Sequence, residues 1–360
     1  MTDPEVFFTG FPGFLGSALI ERILARGDGP VACLVQPKYR DLAQRRAENI
    51  EDRTETADAI QLYEGDITEP DLGLDDAEFG EIRELYHLAA VYDLGVEPGL
   101  AEAVNVRGTE YVLDFAEDRE IDRLHYVSTC YVSGRYDGVF TEDDLQVGQT
   151  FNNHYEETKY RAEVAVQERL GGGLSGTIYR PAIVVGDSET GETDKYDGPY
   201  NLIQSLLAQS PRLATTFSFP GSRDAELNVV PRDFVVDAIA YLSARDSSER
   251  EREVYQLCDP APLSVPEFTD TIAEAVGCRT LSVPATRRLA RAAATNLDSP
   301  ALEFDPETLA YLDHPTRYAC PKTARALAGS GIEVPPFETY VGRLVEFVRQ
   351  NPDVGDEPMV

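Results

Sequence analysis

Tryptophan is absent from this 360-residue chain, methionine occurs twice, and lysine occurs only at positions 38, 159, 195 and 322. No apolar run approaches the ~18 residues of a membrane-spanning helix, so no membrane span is expected. Cysteine is sparse as well. Cys33, Cys130, Cys258, Cys278 and Cys320 are scattered without C-x-x-C spacing, which argues against a zinc site or a disulfide framework and leaves buried free thiols as the expectation. His87, His125, His154 and His314 lack ligand spacing, so they are expected to be structural and no metal site is expected. The opening residues Met-Thr-Asp-Pro-Glu lack the basic-then-apolar pattern of a secretion signal, and a cytoplasmic location is the default expectation.

Positive charge is the scarcest commodity. The 32 Lys and Arg face 64 Asp and Glu, for a net charge of −32. Such a field repels nucleic acid and anionic lipid surfaces, so neither is expected as a partner. The acid excess runs along the whole chain and arginine far outnumbers lysine. That pattern resembles proteins of a salt-loaded cytoplasm, where ionic strength screens the self-repulsion. A halophilic protein is the expectation, and an acidic mesophilic one the alternative.

Hydrophobic residues make up 42% of the chain, enough for a large core. Residues 6–9 form a short apolar run, followed at once by Gly10, Gly13, Gly16 and an amphipathic segment over 14–26. This is strand, glycine turn, helix. Further strands are expected at 31–35, 60–63, 85–88, 124–128 and 176–179, with helices at 42–49, 100–117 and 155–169. The alternation predicts an α/β fold built on a doubly wound parallel sheet of the Rossmann kind. After Gly186 the pattern changes. Residues 187–200 read as a loop or lid, a strand–helix unit returns at 227–244, and another strand follows at 253–257. From Pro262 the chain reads as mostly helical, with candidates at 266–276, 287–295 and 338–349. The expected organisation is a nucleotide-binding domain of residues 1–186 plus about 226–260. A smaller, discontinuous, mostly helical substrate portion takes about 187–225 and 261–360.

Thr9-Gly10-Phe11-Pro12-Gly13-Phe14-Leu15-Gly16 is the most specific local signal. One glycine lets the backbone reverse, the next admits a pyrophosphate, and the third packs the helix on the strand. The helix N-terminus adds free N–H groups and positive partial charge. At the second strand's end an acidic residue would accept the ribose hydroxyls of NAD. Here Gln36-Pro37-Lys38-Tyr39-Arg40 carries no carboxylate before Asp41, and Lys38 and Arg40 could pair with a 2′-phosphate. NADP is therefore favoured, with NAD as the alternative. Gly65-Asp66-Ile67 follows the third strand and is placed to meet the adenine, though Asp66 reads equally as a turn residue.

Tyr155 and Lys159 stand four apart in a helix-forming stretch, so phenol and ammonium share a face. A phenol near pKa ~10 is a poor acid or base at neutral pH. A fixed positive charge beside it is expected to lower that value and make a general acid/base.

As a set, these motifs resemble the extended short-chain dehydrogenase/reductases. The glycine motif, Gly65-Asp66-Ile67, Leu88-Ala89-Ala90, Asn105-Val-Arg-Gly-Thr109, Val127-Ser128-Thr129, Tyr155-x-x-x-Lys159 and Arg180-Pro181-Ala182-Ile183-Val184-Val185-Gly186 occur in that family's order, over roughly the first two-thirds of the chain. The resemblance implies Thr129, Tyr155 and Lys159 as the catalytic group, with Ser128 a weaker candidate. It also implies Asn105 as the lysine's support, and cofactor contacts from Leu88, Ala89, Ala90, Pro181 and Ile183. Gly13-Phe-Leu-Gly16, His87-Leu-Ala-Ala-Val-Tyr92, Tyr155-Glu-Glu-Thr-Lys159 and Asn228-Val-Val-Pro-Arg-Asp233 are similar to the branch of fatty acyl-CoA reductases and carrier-bound thioester reductases. Position 36 departs from it: Gln stands where those reductases commonly carry Arg.

The implied chemistry is hydride transfer to a carbonyl, with an acyl thioester, on CoA or a separate carrier, as the expected substrate. Nucleotide-sugar epimerase/dehydratase and sterol/flavonol-type reductase activities are the alternatives, and a non-catalytic NADP-binding regulator is a further one. Tyr92, Tyr131 and the loop over 190–199 are expected to line or cover the substrate. The apolar C-terminal helices suit an acyl chain, a plain core or a homodimer interface.

Overall fold

The computed structural model describes residues 3–27, 29–74, 80–209, 212–218, 221–245, 252–284 and 308–355. In chain order its strands begin with β1 (Val6–Thr9), β2 (Val31–Val35), β3 (Ile60–Glu64), β4 (Glu84–His87), β5 (Arg123–Val127), β6 (Gly138–Phe140) and β7 (Gly176–Pro181). They continue with β8 (Ile183–Val185), β9 (Leu213–Ser218), β10 (Val229–Pro231), β11 (Arg252–Leu257), β12 (Arg279–Pro284) and β13 (Thr316–Tyr318). Seven of them form one sheet in the order β3-β2-β1-β4-β5-β7-β11, with every pairing parallel. The sequence Val-Phe-Phe-Thr of β1 and Val-Ala-Cys-Leu-Val of β2 is buried at every position. Strands covered on both faces require such continuous apolar runs.

Adjacent residues of a strand point to opposite faces, and Phe7 and Phe8 divide accordingly. Phe8 packs in a core with Leu19 and Ile23 of α1 (Phe14–Ala25). Beyond α2 (Arg40–Thr54), α3 (Pro98–Ala101), α4 (Gly108–Asp118), α5 (His154–Gly171) and α6 (Pro199–Leu207) comes α7 (Arg232–Ser243), which adds Val235 and Ile239 to that core. Phe7 packs on the other face with Phe115 of α4 and Val166 of α5. A third core joins Ile203 of α6, Phe268 of α8 (Val265–Val276) and Leu344 of the last helix, Phe337–Gln350.

Three two-stranded parallel sheets, β8–β10, β9–β12 and β6–β13, stitch distant segments together. The C-terminal part is thus less helical than expected, since β12 and β13 lie within it. Each pairs with a strand far upstream, which no local periodicity signals. Helix α2 outruns the expected 42–49 because its added ends (Arg40-Asp41 and Ile50-Glu51-Asp52-Arg53-Thr54) carry mostly charge. The stretch expected as one helix over 100–117 is broken by a π-helical turn, Glu102–Arg107. The helix expected at 287–295 lies outside the described residues. All five cysteines are buried with free thiols. Among the described residues no helix is long and apolar enough to cross a membrane.

Candidate active site

The strand order reverses between β1 and β4, and the chain leaves their C-terminal ends in opposite directions. A crevice opens at such a switch point. Gly10 takes φ +93°, and a Cβ there would stand 2.8 Å from the Ala89 nitrogen. A Cβ on Gly16 would stand 2.3 Å from the Gly10 carbonyl oxygen. Helix α1 can therefore start hard against the turn only with hydrogen at position 16. Gly13 is its N-cap, without a side-chain cap or an acidic residue in the first turn. The N–H groups of that turn stay open to an anion at the crevice. A cradle that any Cβ would fill, at an uncapped helix start, fits a dinucleotide pyrophosphate.

Asp66 proves to be both turn residue and crevice wall. Its Oδ1 accepts from the Thr68 nitrogen at 2.9 Å and hydroxyl at 2.8 Å, while Gln36 Nε2 donates to Oδ2 at 2.7 Å. Gln36 and Tyr39 line the cavity, but Lys38 and Arg40 do not. Arg40 donates to the Leu62 carbonyl at 3.0 Å and stands 3.9 Å from Glu64. Lys38 lies over the Tyr39 ring. A cation that reaches the glycine turn, though it too is outside the cavity lining, is Arg46, which stands in no motif. It donates to the Pro12 carbonyl at 2.7 Å and pairs with Asp194 of the 187–200 loop at 2.7 Å. Its place about two helical turns beyond Tyr39, on the same face of α2, is the one sequence signal that points to it.

Helix α5 is started by Asn153, whose side chain accepts from the Glu156 nitrogen at 3.0 Å. That start sets Tyr155 and Lys159 against the end of β5. Lys159 Nζ donates to the Val127 carbonyl at 3.0 Å and stands 4.5 Å from the centre of the Tyr126 ring. The Tyr155 phenol lies near the Thr129 hydroxyl, and both residues line one cavity. Ser128 is engaged elsewhere, donating to Glu163 at 2.6 Å. Asn105 lies in the π turn, and no direct hydrogen bond joins its side chain to Lys159. Its Oδ1 accepts from the Val91 nitrogen at 2.8 Å, and its Nδ2 donates to Thr158 at 3.1 Å, so it braces the neighbouring residue of α5.

Burial pushes the Tyr155 phenol well up, against the pull of the nearby Thr129 hydroxyl, and Glu156 and Asp197 add to the rise. Burial also draws the Lys159 ammonium down to about 7, opposed by Glu163. The phenol is thus raised where a neighbouring charge is expected to lower it, because desolvation dominates and the charges that act on it, Glu156 and Asp197, are negative. His87 is pushed down to about 3 by burial and by Lys159, and is neutral. Its ring meets Thr9 at 2.7 Å and Thr109 at 3.0 Å, tying the strand before the glycine turn to α4.

One cavity of about 440 Å³ holds these pieces together. Thr9, Gly10, Pro12, Gly13, Phe14, Leu15, Gly16, Asp66, Ile67, Leu88, Ala89, Ala90, Thr129, Tyr155, Lys159, Pro181 and Ile183 all line it. Beyond Tyr155 the wall turns apolar, with Leu202, Leu227, Val265, Phe268, Leu309 and Leu312. Tyr92 stands edge-on to Tyr155 at 5.0 Å, and Lys195 covers Tyr92 from the 187–200 loop while pairing with Asp197 at 3.2 Å. Tyr131 lines the cavity as well.

A sheet of this winding binds a dinucleotide at its switch point, and the groups at the far end of the crevice are suited to a carbonyl oxygen. The chain is an NAD(P)-dependent oxidoreductase of the extended short-chain dehydrogenase/reductase type. More narrowly, it belongs to the male sterility protein family of NAD-binding domains, which matches residues 8–239. Among solved structures, the terminal R domain of the myxalamid PKS-NRPS biosynthetic pathway is similar with a TM-score of 0.81 and 27% identity, over 98% of this chain and 92% of that one. Isonitrile lipopeptide synthase of Mycobacterium tuberculosis (strain ATCC 25618 / H37Rv) is 29% identical over 304 residues, 75% of this chain. A linear gramicidin synthase of Brevibacillus parabrevis is 26% identical over 291 residues, also 75% of this chain. The chain spans 12% and 5% of the length of these two relatives.

Proposed function

We propose that this protein uses NADPH to reduce an acyl thioester to the aldehyde, with further reduction to the alcohol open to the same site. The observation that carries the reading is the apolar wall continuing from Tyr155 into the C-terminal core. Similarity to the R domain of a PKS-NRPS pathway and to a lipopeptide synthase supports it. An epimerase acting on a nucleotide diphosphate needs cations for the phosphates. Besides Lys159, Lys195 is the one cation among the described residues lining the cavity, and Asp197 is paired with it. NADP is favoured over NAD because β2 is followed by Gln36 rather than a carboxylate and Arg46 reaches the glycine turn.

The bound dinucleotide supplies the hydride. The chain's own groups manage the oxygen and the proton. Tyr155, held protonated by burial, donates to the thioester oxygen as negative charge develops there, and Thr129 gives a second hydrogen bond. The carbon–sulfur bond then breaks, the thiolate leaves and takes a proton, and the aldehyde remains. Lys159 holds its ammonium on the Val127 carbonyl beside the phenol, where it can meet a ribose hydroxyl. The apolar wall excludes water from the acyl group.

A panel of acyl-CoA thioesters, aldehydes and nucleotide sugars, each given NADPH and NADH in high salt, tests the proposal by loss of the reduced nicotinamide's absorbance. Thioester-dependent NADPH consumption with release of free thiol is expected. Turnover of a nucleotide sugar on tightly held NAD, without thioester-dependent consumption, overturns it.

A further inference from the structure

Three successive residues at the end of β5 meet three turns of α5. The Val127 carbonyl accepts from Lys159 at 3.0 Å, the Ser128 hydroxyl donates to Glu163 at 2.6 Å, and Thr129 lies near Tyr155. Tyr155, Lys159 and Glu163 are each four residues apart, so they share one face of the helix. The pair first read as two residues is a column of three.

Its lowest member is fully buried and so is its partner. Arg180 Nε and Nη2 donate to Glu163 Oε1 at 3.0 and 2.6 Å, and Gln167 donates to the same oxygen at 2.9 Å. Arg180 Nη1 donates to the Thr141 carbonyl at 3.2 Å. An ion pair taken wholly out of water is stabilising only with good geometry and further hydrogen bonds, and it is easily replaced by apolar packing. A pair maintained here calls for a reason beyond stability, and Lys159 stands one turn above it.

We propose that Glu163 is a positioning residue for the catalytic lysine: its carboxylate, locked by Arg180 and Ser128, keeps the Lys159 ammonium charged beside Tyr155. The groups facing that ammonium are Tyr155 and Glu163 from α5, Tyr126 and the Val127 carbonyl from β5, neutral His87 from β4, and Arg180 of β7 behind Glu163. Glu163 is the one anion among them. Burial draws Lys159 down to about 7 and Glu163 opposes the fall, so loss of this anion moves the ammonium further toward its neutral form. The inference rests on the oxidoreductase class and on no particular carbonyl.

Four lysines make the test direct. With lysine labelled by 13C at the ε carbon, the chain gives four NMR signals, and Lys159→Arg identifies one of them. The titration is read without substrate or dinucleotide, so it stands whether or not a thioester is reduced. Removing the anion is expected to lower the Lys159 midpoint by roughly one unit or more in Glu163→Gln, with the other three lysines unmoved. Because that variant strands the Arg180 guanidinium, Glu163→Gln/Arg180→Gln, which removes both charges of the pair, is measured beside it and is expected to shift the same way. A midpoint unchanged in either folded variant overturns the proposal.

Discussion

Replacing Tyr155 by Phe isolates one oxygen atom. The ring keeps its edge-on contact with Tyr92 at 5.0 Å, so packing survives. Thr129 loses the phenol but retains its contacts with the Tyr131 nitrogen at 3.2 Å and the Pro181 carbonyl at 3.5 Å. The cost in stability is at most about 1 kcal/mol, the worth of one hydrogen bond. The proposed role makes the cost in rate larger, because burial keeps the phenol protonated and able to donate. A fixed donor to a developing oxyanion is worth ~3 kcal/mol, or about two orders of magnitude in kcat. Dinucleotide binding should persist, since the glycine turn and Lys159 are untouched. Without tryptophan in the chain, binding can be followed by nicotinamide fluorescence against a tyrosine-only background. Turnover within about threefold of the unmodified protein, or a parallel loss of dinucleotide affinity, would refute the assignment of Tyr155 as proton donor.

Gly16→Ala puts a Cβ 2.3 Å from the Gly10 carbonyl oxygen, and overpacking against backbone should destabilise the protein by roughly 1–3 kcal/mol and weaken dinucleotide binding. An unchanged melting temperature and affinity would contradict the close-approach argument. Arg46→Ala should weaken NADPH binding by about tenfold or more, as expected for a lost charged hydrogen bond, and spare NADH; equal losses would show that Arg46 does not read the extra phosphate. His87 and His314 titrate at about 3 when folded, against 6.5 for the free side chain. The unfolded chain therefore binds protons that the folded one refuses, and stability falls as pH drops from 6.5 toward 3, by roughly 1.4 kcal/mol per pH unit for each site. Urea unfolding across that range should show the slope, His87→Gln should flatten it, and a level curve in the unmodified protein would rule it out.

The nucleotide-binding half was legible because its signals are local. Short apolar runs mark β1 and β2, and the structure places both at their expected residues, with β5 one residue from its own. The glycine turn, Thr129, Tyr155 and Lys159 come together in one cavity because each sits at the end of an element whose length the pattern already set. What stayed hidden depends on partners distant in sequence. β6, β9, β12 and β13 carry no strong alternation and exist by pairing across more than sixty residues, as Leu213 with Arg279 shows. Arg46 reads as one charge on a charged helix until α2 is laid over Pro12. The phenol's pKa went the other way for a related reason: proximity to Lys159 is visible in the spacing, whereas burial belongs to the whole fold.

The position of β11 at the sheet's edge bears on where this protein can be divided. The family match ends at residue 239, yet β11 begins at Arg252 and covers β7 along its full length. β7 is buried at all six positions. A fragment ending near the match would leave it as an open, flat, apolar edge, ready to pair with another copy. Gln256 of β11 also clasps the carbonyls of Phe140 and Ala319 at 2.9 Å each, and Glu142 accepts from the Lys322 and Thr323 nitrogens that start helix Pro321–Leu327. The region that binds the nucleotide is thus sealed by residues far beyond it, and its resistance to aggregation depends on the C-terminal third being present.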